Sequence, residues 1–347
     1  MIKVSVSKVV AGENLTQSEM ETTMEEIMTG VATPAQIGAF ITALRMKGET
    51  VEEIAGAARV MRAMATKIDI TSQLKNEPIL DTCGTGGDGT STFNVSTATA
   101  FVAAGGGVIV AKHGNRAVSS KCGSADVLET LGVKLDIAHT DVARCLKEVG
   151  IGFLFAPLFH GAMKYAAGPR REIGLRTIFN VLGPLTNPAG ATAQLLGVYD
   201  PGLTEKIARV LGRLGISEAF VVCGEGTFDE VSITSPTRVS QLKDGKVRTF
   251  DITPEDYGFT RANVASIKGG DTQENADIMR KILDGEKGPK RDMVLLNAGA
   301  AFAAAGLDSD IEKGIQRARD SIDSGQAKEK LNALMDFTQG CARERTF

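Results

Sequence analysis

No stretch of this 347-residue chain stays apolar for long enough to span a bilayer. Its most apolar runs, Ala98 to Ala111 and Met293 to Ala305, are short and rich in Gly and Ala, whereas a membrane helix needs about 20 apolar residues. Met1 to Val10 alternates apolar and polar residues and lacks the apolar block of a secretory signal. Charge of one sign is also missing: 39 Lys and Arg stand against 42 Asp and Glu, a net charge of -3, with no basic tail. That balance speaks against a nucleic-acid binder, so any anion site must be local and built from a few placed groups. Cys83, Cys122, Cys145, Cys223 and Cys341 are odd in number, scattered, and form no C-x-x-C. A disulfide framework or zinc cluster is not expected, and a cytoplasmic location is. The three histidines are too few and too separated for a His-based metal centre. No internal repeat is present.

What the chain does have begins with helix signals. Thr16-Gln17-Ser18-Glu19 is a capping box, in which the Thr hydroxyl and Glu carboxylate satisfy free backbone N–H groups. Met20, Met24, Ile27 and Met28 follow at helical spacing. Thr33-Pro34 opens a second helix with Pro at its first position, striped by Ile37, Phe40, Ile41 and Leu44 and closed by Gly48. Thr50-Val51-Glu52-Glu53 opens a third, carrying Ile54, Ala57, Val60 and Met61. Three short amphipathic helices cannot bury all their faces alone. They are expected to form a helical lobe without chemistry, packed on the rest of the chain or on a second copy.

Polar residues 66–76 read as a linker, after which the pattern changes. Strands are expected at Pro78 to Thr82, Val108 to Ala111, Ile151 to Phe155, Gln194 to Tyr199 and Ala219 to Val222. Helices are expected between them, at Ala125 to Leu131, Asp141 to Val149 and Leu203 to Leu214. Such alternation indicates an α/β layer with a largely parallel sheet. Gly168-Pro169-Arg170 is read as opening a helix that runs to about Asn180, the polar alternation around Asp244-Gly245 as a hairpin, and Asn275 to Phe337 as mostly helical.

Gly84-Thr85-Gly86-Gly87-Asp88-Gly89 follows the first strand and precedes an Ala-rich helix. Glycines in a G-x-G-x-x-G pattern let the backbone turn sharply and bring N–H groups to an anion. A dinucleotide site would carry an acid at the end of the next strand. That strand instead ends in Lys112-His113, which argues against NAD and for a second phosphate contact. No Lys-Ser/Thr follows the glycines, which excludes a P-loop. A tight turn alone would not need four glycines in six residues, so a phosphate or pyrophosphate site is favoured. Asn94-Val95-Ser96-Thr97 begins the Ala-rich helix, where Asn94 or Ser96 can cap it, hold a phosphate, or do both.

Lys112 to Ser120 is a dense donor set for a phosphorylated sugar, at the carboxyl edge of the sheet where ligands bind. A solvated loop is the plainer alternative. Gly123-Ser124 precedes another helix. Asp229 and Glu230 are adjacent, and on an extended strand they would point to opposite faces. To share one ligand they need a loop; otherwise they serve two metals. Beside a pyrophosphate they are candidate Mg2+ ligands. An arginine can grip a planar carboxylate with two hydrogen bonds, and spacing does not choose between Arg170 and Arg171. No nucleophile–base–orienter set is evident.

In order, Asp81-Thr82-Cys83-Gly84-Thr85-Gly86-Gly87-Asp88, Asn94 to Thr97, Lys112 to Ser120, Arg170-Arg171-Glu172, Arg176-Thr177-Ile178-Phe179-Asn180, Gly183 to Pro188 and Asp229-Glu230 resemble the anthranilate phosphoribosyltransferase family over nearly the whole chain. The ordered set is far more specific than any one motif. Departures are small: Phe228 stands where Leu is common, and residues around His160-Gly161 differ from the usual form. The resemblance implies an α/β fold of the nucleoside phosphorylase/phosphoribosyltransferase type. A small all-helical domain (1–70, completed by helices near 165–190) would sit beside a large α/β domain (71–347) with a central, mostly parallel sheet. It also implies transfer of the phosphoribosyl group of phosphoribosyl pyrophosphate (PRPP) to the amine of anthranilate in tryptophan biosynthesis.

By the same resemblance, Gly84, Gly87, Asp88, Thr92, Asn94, Ser96, Thr97, Lys112, Asn115, Ser119, Ser120 and Ser124 would hold PRPP, and Val95, His113, Gly114, Arg116, Ala117 and Val118 would complete the substrate-binding set. Ser96, Asp229 and Glu230 would hold Mg2+, two ions per subunit. Asn115 and Arg170 would bind anthranilate, which selects Arg170 over Arg171; with Lys112 they are the expected catalytic residues. His113, Ala156, Pro157 and Tyr165 would line the aromatic approach. The family implies a homodimer through the helical domain, and neither nucleic acid nor membrane is an expected partner. A pyrimidine nucleoside phosphorylase would share the Lys-His-Gly-Asn-Arg segment but carry a Lys-His-Ser-Thr-Gly-Gly phosphate loop, which Asp81 to Gly87 is not. A non-enzymatic, nucleic-acid-binding relative would show a basic face and have lost the substrate residues.

Overall fold

The computed structural model describes residues 1–70, 77–87, 89–117 and 121–344. Four helices come first: α1 (Ile2–Val10), α2 (Gln17–Met28), α3 (Pro34–Lys47) and α4 (Val51–Met64). The last three begin at the expected threonines, and all three starts, not only that at Thr16, are capping boxes, with Thr16, Thr33 and Thr50 each accepting a backbone N–H three residues on. α1 is the helix that alternation concealed. Its Ile2, Ser5 and Val9 are buried along one face, and the Glu26 carboxylate on α2 takes the Ile2 N–H at 2.9 Å. Packing against α2 and α3 overrides the local alternation.

The chain then runs β1 (Ile79–Gly84), α5 (Val95–Gly105), β2 (Ile109–Gly114), α6 (Ser124–Leu131), α7 (His139–Glu148), β3 (Ile151–Phe155), α8 (Ala156–Phe159), α9 (Lys164–Ile173), α10 (Phe179–Leu182), β4 (Ala193–Gly197), α11 (Leu203–Arg213) and β5 (Glu218–Gly224). The hairpin β6 (Thr237–Lys243) and β7 (Lys246–Ile252) follows, then α12 (Thr272–Leu283), α13 (Pro289–Ala304), α14 (Ile311–Asp323) and α15 (Gln326–Glu344). Asp244 and Gly245 both have positive φ, 50° and 70°, as a two-residue hairpin turn requires.

The seven strands form one sheet in the order β3-β2-β1-β4-β5-β6-β7. β1 to β5 pair in parallel, and β6 and β7 are antiparallel. Both faces of the parallel part are covered, so its strands are apolar on both sides. Leu195, Phe220 and Val222 face the core built on α5, α13, α14 and α15. Leu196, Val221 and Cys223 face the core shared with α11 and the helical lobe.

One expected helix is corrected. Pro169 does not open a helix; it lies inside α9, which ends at Gly174 with φ 64°. The chain resumes as the separate short helix α10. A left-handed glycine stops the helix where the apolar pattern alone would have run on to Asn180. α9 packs on α2 and α3, and α10 on α4. The excursion between β3 and β4 therefore returns to the lobe before the chain re-enters the sheet. It does so where the connections reverse: β2 and β3 extend one side of β1, and β4 and β5 the other. A crevice at the carboxyl ends of strands at such a reversal is where ligands bind in open α/β sheets.

Candidate active site

At that crevice the turn after β1 meets the turn after β5. Gly86 and Gly87 have φ of 66° and 73°, conformations that glycine adopts freely. Thr85 N–H donates to the Gly197 carbonyl at 3.0 Å, which joins the loop to the end of β4. Asp229 and Glu230 lie beyond β5 outside any strand, so the opposite-face objection does not apply. Asp229 Oδ2 accepts the Gly86 N–H at 2.7 Å, and Glu230 Oε1 accepts the Ser96 N–H at 3.1 Å. The two acids thus bracket the glycine loop and the first turn of α5. A Cβ at Gly84 would overlap the Asp229 carboxylate, and one at Gly197 would overlap its backbone carbonyl.

Asn94 occupies the N-cap position of α5 but makes no side-chain cap. Its amide donates to the Cys122 carbonyl at 3.3 Å instead, so simple capping does not account for this residue. Val95 and Thr97 are buried, and the Thr97 hydroxyl has no hydrogen-bond partner among the described residues. Thr92 bridges antiparallel to Lys268.

Lys112, near the end of β2, is 3 % exposed. Its Nζ donates to the Thr82 carbonyl at 2.6 Å and to Ser96 Oγ at 3.3 Å. Burial pulls its pKa down, opposed by Asp81. Asp81 on β1 is fully buried, and burial pushes its pKa up to about 6 against the pull of Lys112, Asn187 and the His113 amide.

His113, Gly114, Asn115, Arg116 and Ala117 continue from β2 into a turn that folds back on α6. The Asn115 carbonyl accepts Ala125 N–H at 3.2 Å and Ser124 Oγ at 3.3 Å. Asp126 Oδ2 takes the Ala117 and Gly123 N–H groups at 2.9 and 2.8 Å. The Arg116 guanidinium is taken up by Glu129 and Asp126 and lies over the Phe155 ring. Asp88, Val118, Ser119 and Ser120 lie outside the described residues.

The aromatic side is built from β3, α8 and α9. His113 and His160 are both 8 % exposed, with their Nε2 atoms 3.2 Å apart. Burial lowers their pKa values to about 3 and about 4, helped at His113 by the neighbouring His160. Both rings are therefore neutral at pH 7. The Arg170 guanidinium sits 5.0 Å over the Phe179 ring, and burial lowers its pKa. Ala156 and Pro157 begin α8. Tyr165 is 39 % exposed and packs against Gly30 at the end of α2.

Two family profiles match. Residues 5–65 match the helical bundle domain of a glycosyl transferase family, and residues 76–328 match its a/b domain. A curated anthranilate phosphoribosyltransferase from Moorella thermoacetica is 57% identical over 99% of this chain and 100% of its own length. The chain belongs to the anthranilate phosphoribosyltransferase family. Its counterpart from Acetivibrio thermocellus is 56% identical over 97% of each chain. The crystal structure of the Thermus thermophilus enzyme superposes with a TM-score of 0.90 at 44% identity, covering 96% of this chain and 99% of that one. The Saccharomyces cerevisiae enzyme in complex with PRPP and Mg superposes with a TM-score of 0.87 at 29% identity, covering 98% of each.

The structure brings Asp81, Asn187 and His160 next to Lys112 and His113, in addition to the residues the motifs single out. Asp81 and Asn187 belong to motifs of the family resemblance that assign them no role, and His160 departs from the usual form. The signal for Asp81 was available: an acid inside the apolar strand Ile79-Leu80-Asp81-Thr82 must meet donors. The meeting of His113 with His160 depends on the path of α8 and could not be read locally.

Proposed function

We propose that this protein carries out its family's reaction in the crevice between the helical lobe and the sheet. It transfers the phosphoribosyl group of PRPP to the amine of anthranilate, giving N-(5-phosphoribosyl)anthranilate and pyrophosphate, a step of tryptophan biosynthesis. The supporting observation is the convergence on one crevice of a glycine loop, a buried lysine and two carboxylates. Arg170 stands on the lobe side of that crevice, on α9.

The residues fit a divalent ion. Asp229 and Glu230 are hard oxygen donors beside Ser96, and among the described residues no cluster of three or more His, Cys, Asp or Glu competes for it. Two carboxylates with distinct partners suit two Mg2+ ions, each completed by substrate oxygens and water. Bound Mg2+ supplies charge neutralisation for the departing pyrophosphate.

The chain's own groups do the rest. Loop and helix N–H groups with Asp88, Thr92, Asn94, Ser96, Ser119, Ser120 and Ser124 hold PRPP. Lys112, whose Nζ reaches Ser96 Oγ at the first turn of α5, stabilises developing negative charge. The ribose carbon passes through an oxocarbenium-like state, as in glycoside cleavage. Arg170 grips the anthranilate carboxylate and Asn115 orients the ring, so that the amine attacks from the face opposite the leaving group. An aromatic amine is neutral at pH 7 and its lone pair is available, so positioning supplies much of the rate.

The division at residue 70 and a homodimer through the helical lobe belong to the same reading. The lobe leaves Val4, Val10, Val31 and Met46 exposed at 55%, 70%, 70% and 83%, which suits a protein partner surface. No disulfide joins the five cysteines among the described residues, which suits the cytoplasm, and no helix among the described residues is long and apolar enough to cross a membrane. The test is anthranilate fluorescence followed with PRPP and Mg2+, each omitted in turn. Loss that requires both supports the reading; no loss with folded protein overturns it.

A further inference from the structure

Arg176 follows the glycine that ends α9 and precedes α10, on the lobe side of the crevice. Its side chain is exposed to solvent. The guanidinium carbon lies 4.5 Å from the centroid of the Tyr199 ring. Tyr199 is 7% exposed, just past the end of β4, and so forms a fixed platform. One guanidinium nitrogen donates to the carbonyl of Gly87 in the glycine loop. Among the described residues no carboxylate pairs with Arg176, whereas Arg116 is claimed by Asp126 and Glu129.

A guanidinium stacked on a ring keeps its in-plane N–H groups available for a planar or tetrahedral anion. This one is held beside the Gly86 N–H and the Asp229 carboxylate, 2.7 Å apart, where a diphosphate with its metal would lie. We propose that Arg176 is a phosphate-binding residue that grips the diphosphate end of PRPP from the lobe side, across the glycine loop. The proposal rests on the functional reading above and adds a cation that the reading does not use. It also gives the lobe a direct hold on the leaving group, so that both substrates are gripped from one body, by Arg170 and Arg176.

The test is calorimetric titration of wild type, Arg176→Ala and Arg176→Lys with Mg2+ and PRPP, without anthranilate, together with steady-state kinetics. Arg176→Ala should weaken PRPP binding about tenfold or more, as loss of a charge-assisted fork predicts. Arg176→Lys should recover only part of that loss, because a point charge lacks the fork. The anthranilate KM and the thermal midpoint should stay near wild type, which a merely structural role would not allow. Unchanged PRPP affinity in Arg176→Ala overturns the proposal while the functional reading stands. A raised anthranilate KM with unchanged PRPP affinity also overturns it, because the guanidinium would then serve the carboxylate. If wild type neither binds PRPP nor consumes anthranilate, the functional reading fails and this assignment with it.

Discussion

Asn187 donates its side-chain amide to Asp81 Oδ2 at 2.8 Å and to the Ala111 carbonyl at 2.7 Å. A single side chain from the segment entering β4 thus ties β1 to β2 just below the crevice. Asp81 Oδ1 accepts the His113 N–H at 3.2 Å, so the same carboxylate fixes the backbone next to Lys112. The register in which Lys112 leaves the sheet is set by groups that never face solvent. Lys112 has the carbonyl of Thr82 and the hydroxyl of Ser96 as partners, and Asp81 as the nearby counter-charge that opposes the effect of burial.

Burial raises the Asp81 pKa from 3.8 to about 6, so the folded state binds this proton more tightly than the unfolded chain does. Between about pH 4 and 6 that term makes stability fall as pH rises, by up to roughly 3 kcal/mol, and it levels off above the folded pKa. His113 and His160 act in the opposite sense: their lowered values, about 3 and about 4, cost stability as pH falls below the imidazole value of 6.5. Their contribution is common to wild type and Asp81→Asn. The stability difference between these two proteins, from urea midpoints at pH 4 to 7, should therefore shift against wild type as pH rises. Parallel curves would show that Asp81 is not held with a raised pKa.

Much of this architecture was legible locally. Thr16, Thr33 and Thr50 mark true helix starts because capping chemistry is short-range. The strand at Ile151–Phe155 agrees with its apolar run. α1 was hidden because its burial depends on α2 and α3, which no pattern in Met1 to Val10 records. The α9 boundary is not legible in the sequence because Pro169 can sit at a helix start or within its body, and only the burial of Ala166 and Pro169 decides. In the crevice, residue types were visible but partners were not. Sequence put Asn94 at a helix start without revealing that its amide turns to Cys122. It offered Arg116 as a donor without showing that Glu129 and Asp126 claim it.

Arg170 is expected to bind the anthranilate carboxylate, with Phe179 holding the guanidinium plane from 5.0 Å. Replacing Arg170 by Ala removes a charge-assisted bidentate contact, about 1.5–3 kcal/mol, or about ten- to hundredfold in affinity. The anthranilate KM should rise by that factor while the PRPP KM changes little. An unchanged anthranilate KM would rule out the carboxylate contact.

Asp229 and Glu230 reach different partners, Gly86 N–H and Ser96 N–H, so losing both should weaken the metal site more than losing either. The double change Asp229→Ala and Glu230→Ala should abolish activity or raise the Mg2+ concentration for half-maximal rate about tenfold or more. Initial rates over a Mg2+ series decide the matter. A double variant with the wild-type metal response would mean that these acids are not the ligands.

The same acid is positioned by a glycine on another strand. A Cβ at Gly197 would overlap the backbone carbonyl of Asp229, and backbone, unlike a flexible side chain, cannot yield cheaply. Gly197→Ala must therefore push the 228–230 segment off the end of β4 and disturb the Thr85 N–H bond to the Gly197 carbonyl. The expected cost is about 1–3 kcal/mol of stability, together with a raised Mg2+ requirement because Asp229 moves. Gly340 provides the contrast: it lies within α15 with nothing within 4 Å of a built Cβ. Gly340→Ala should stabilise by up to about 1 kcal/mol through helix propensity and leave the metal response untouched. If Gly197→Ala keeps both the wild-type thermal midpoint and the wild-type Mg2+ curve, Asp229 is not held by this close approach.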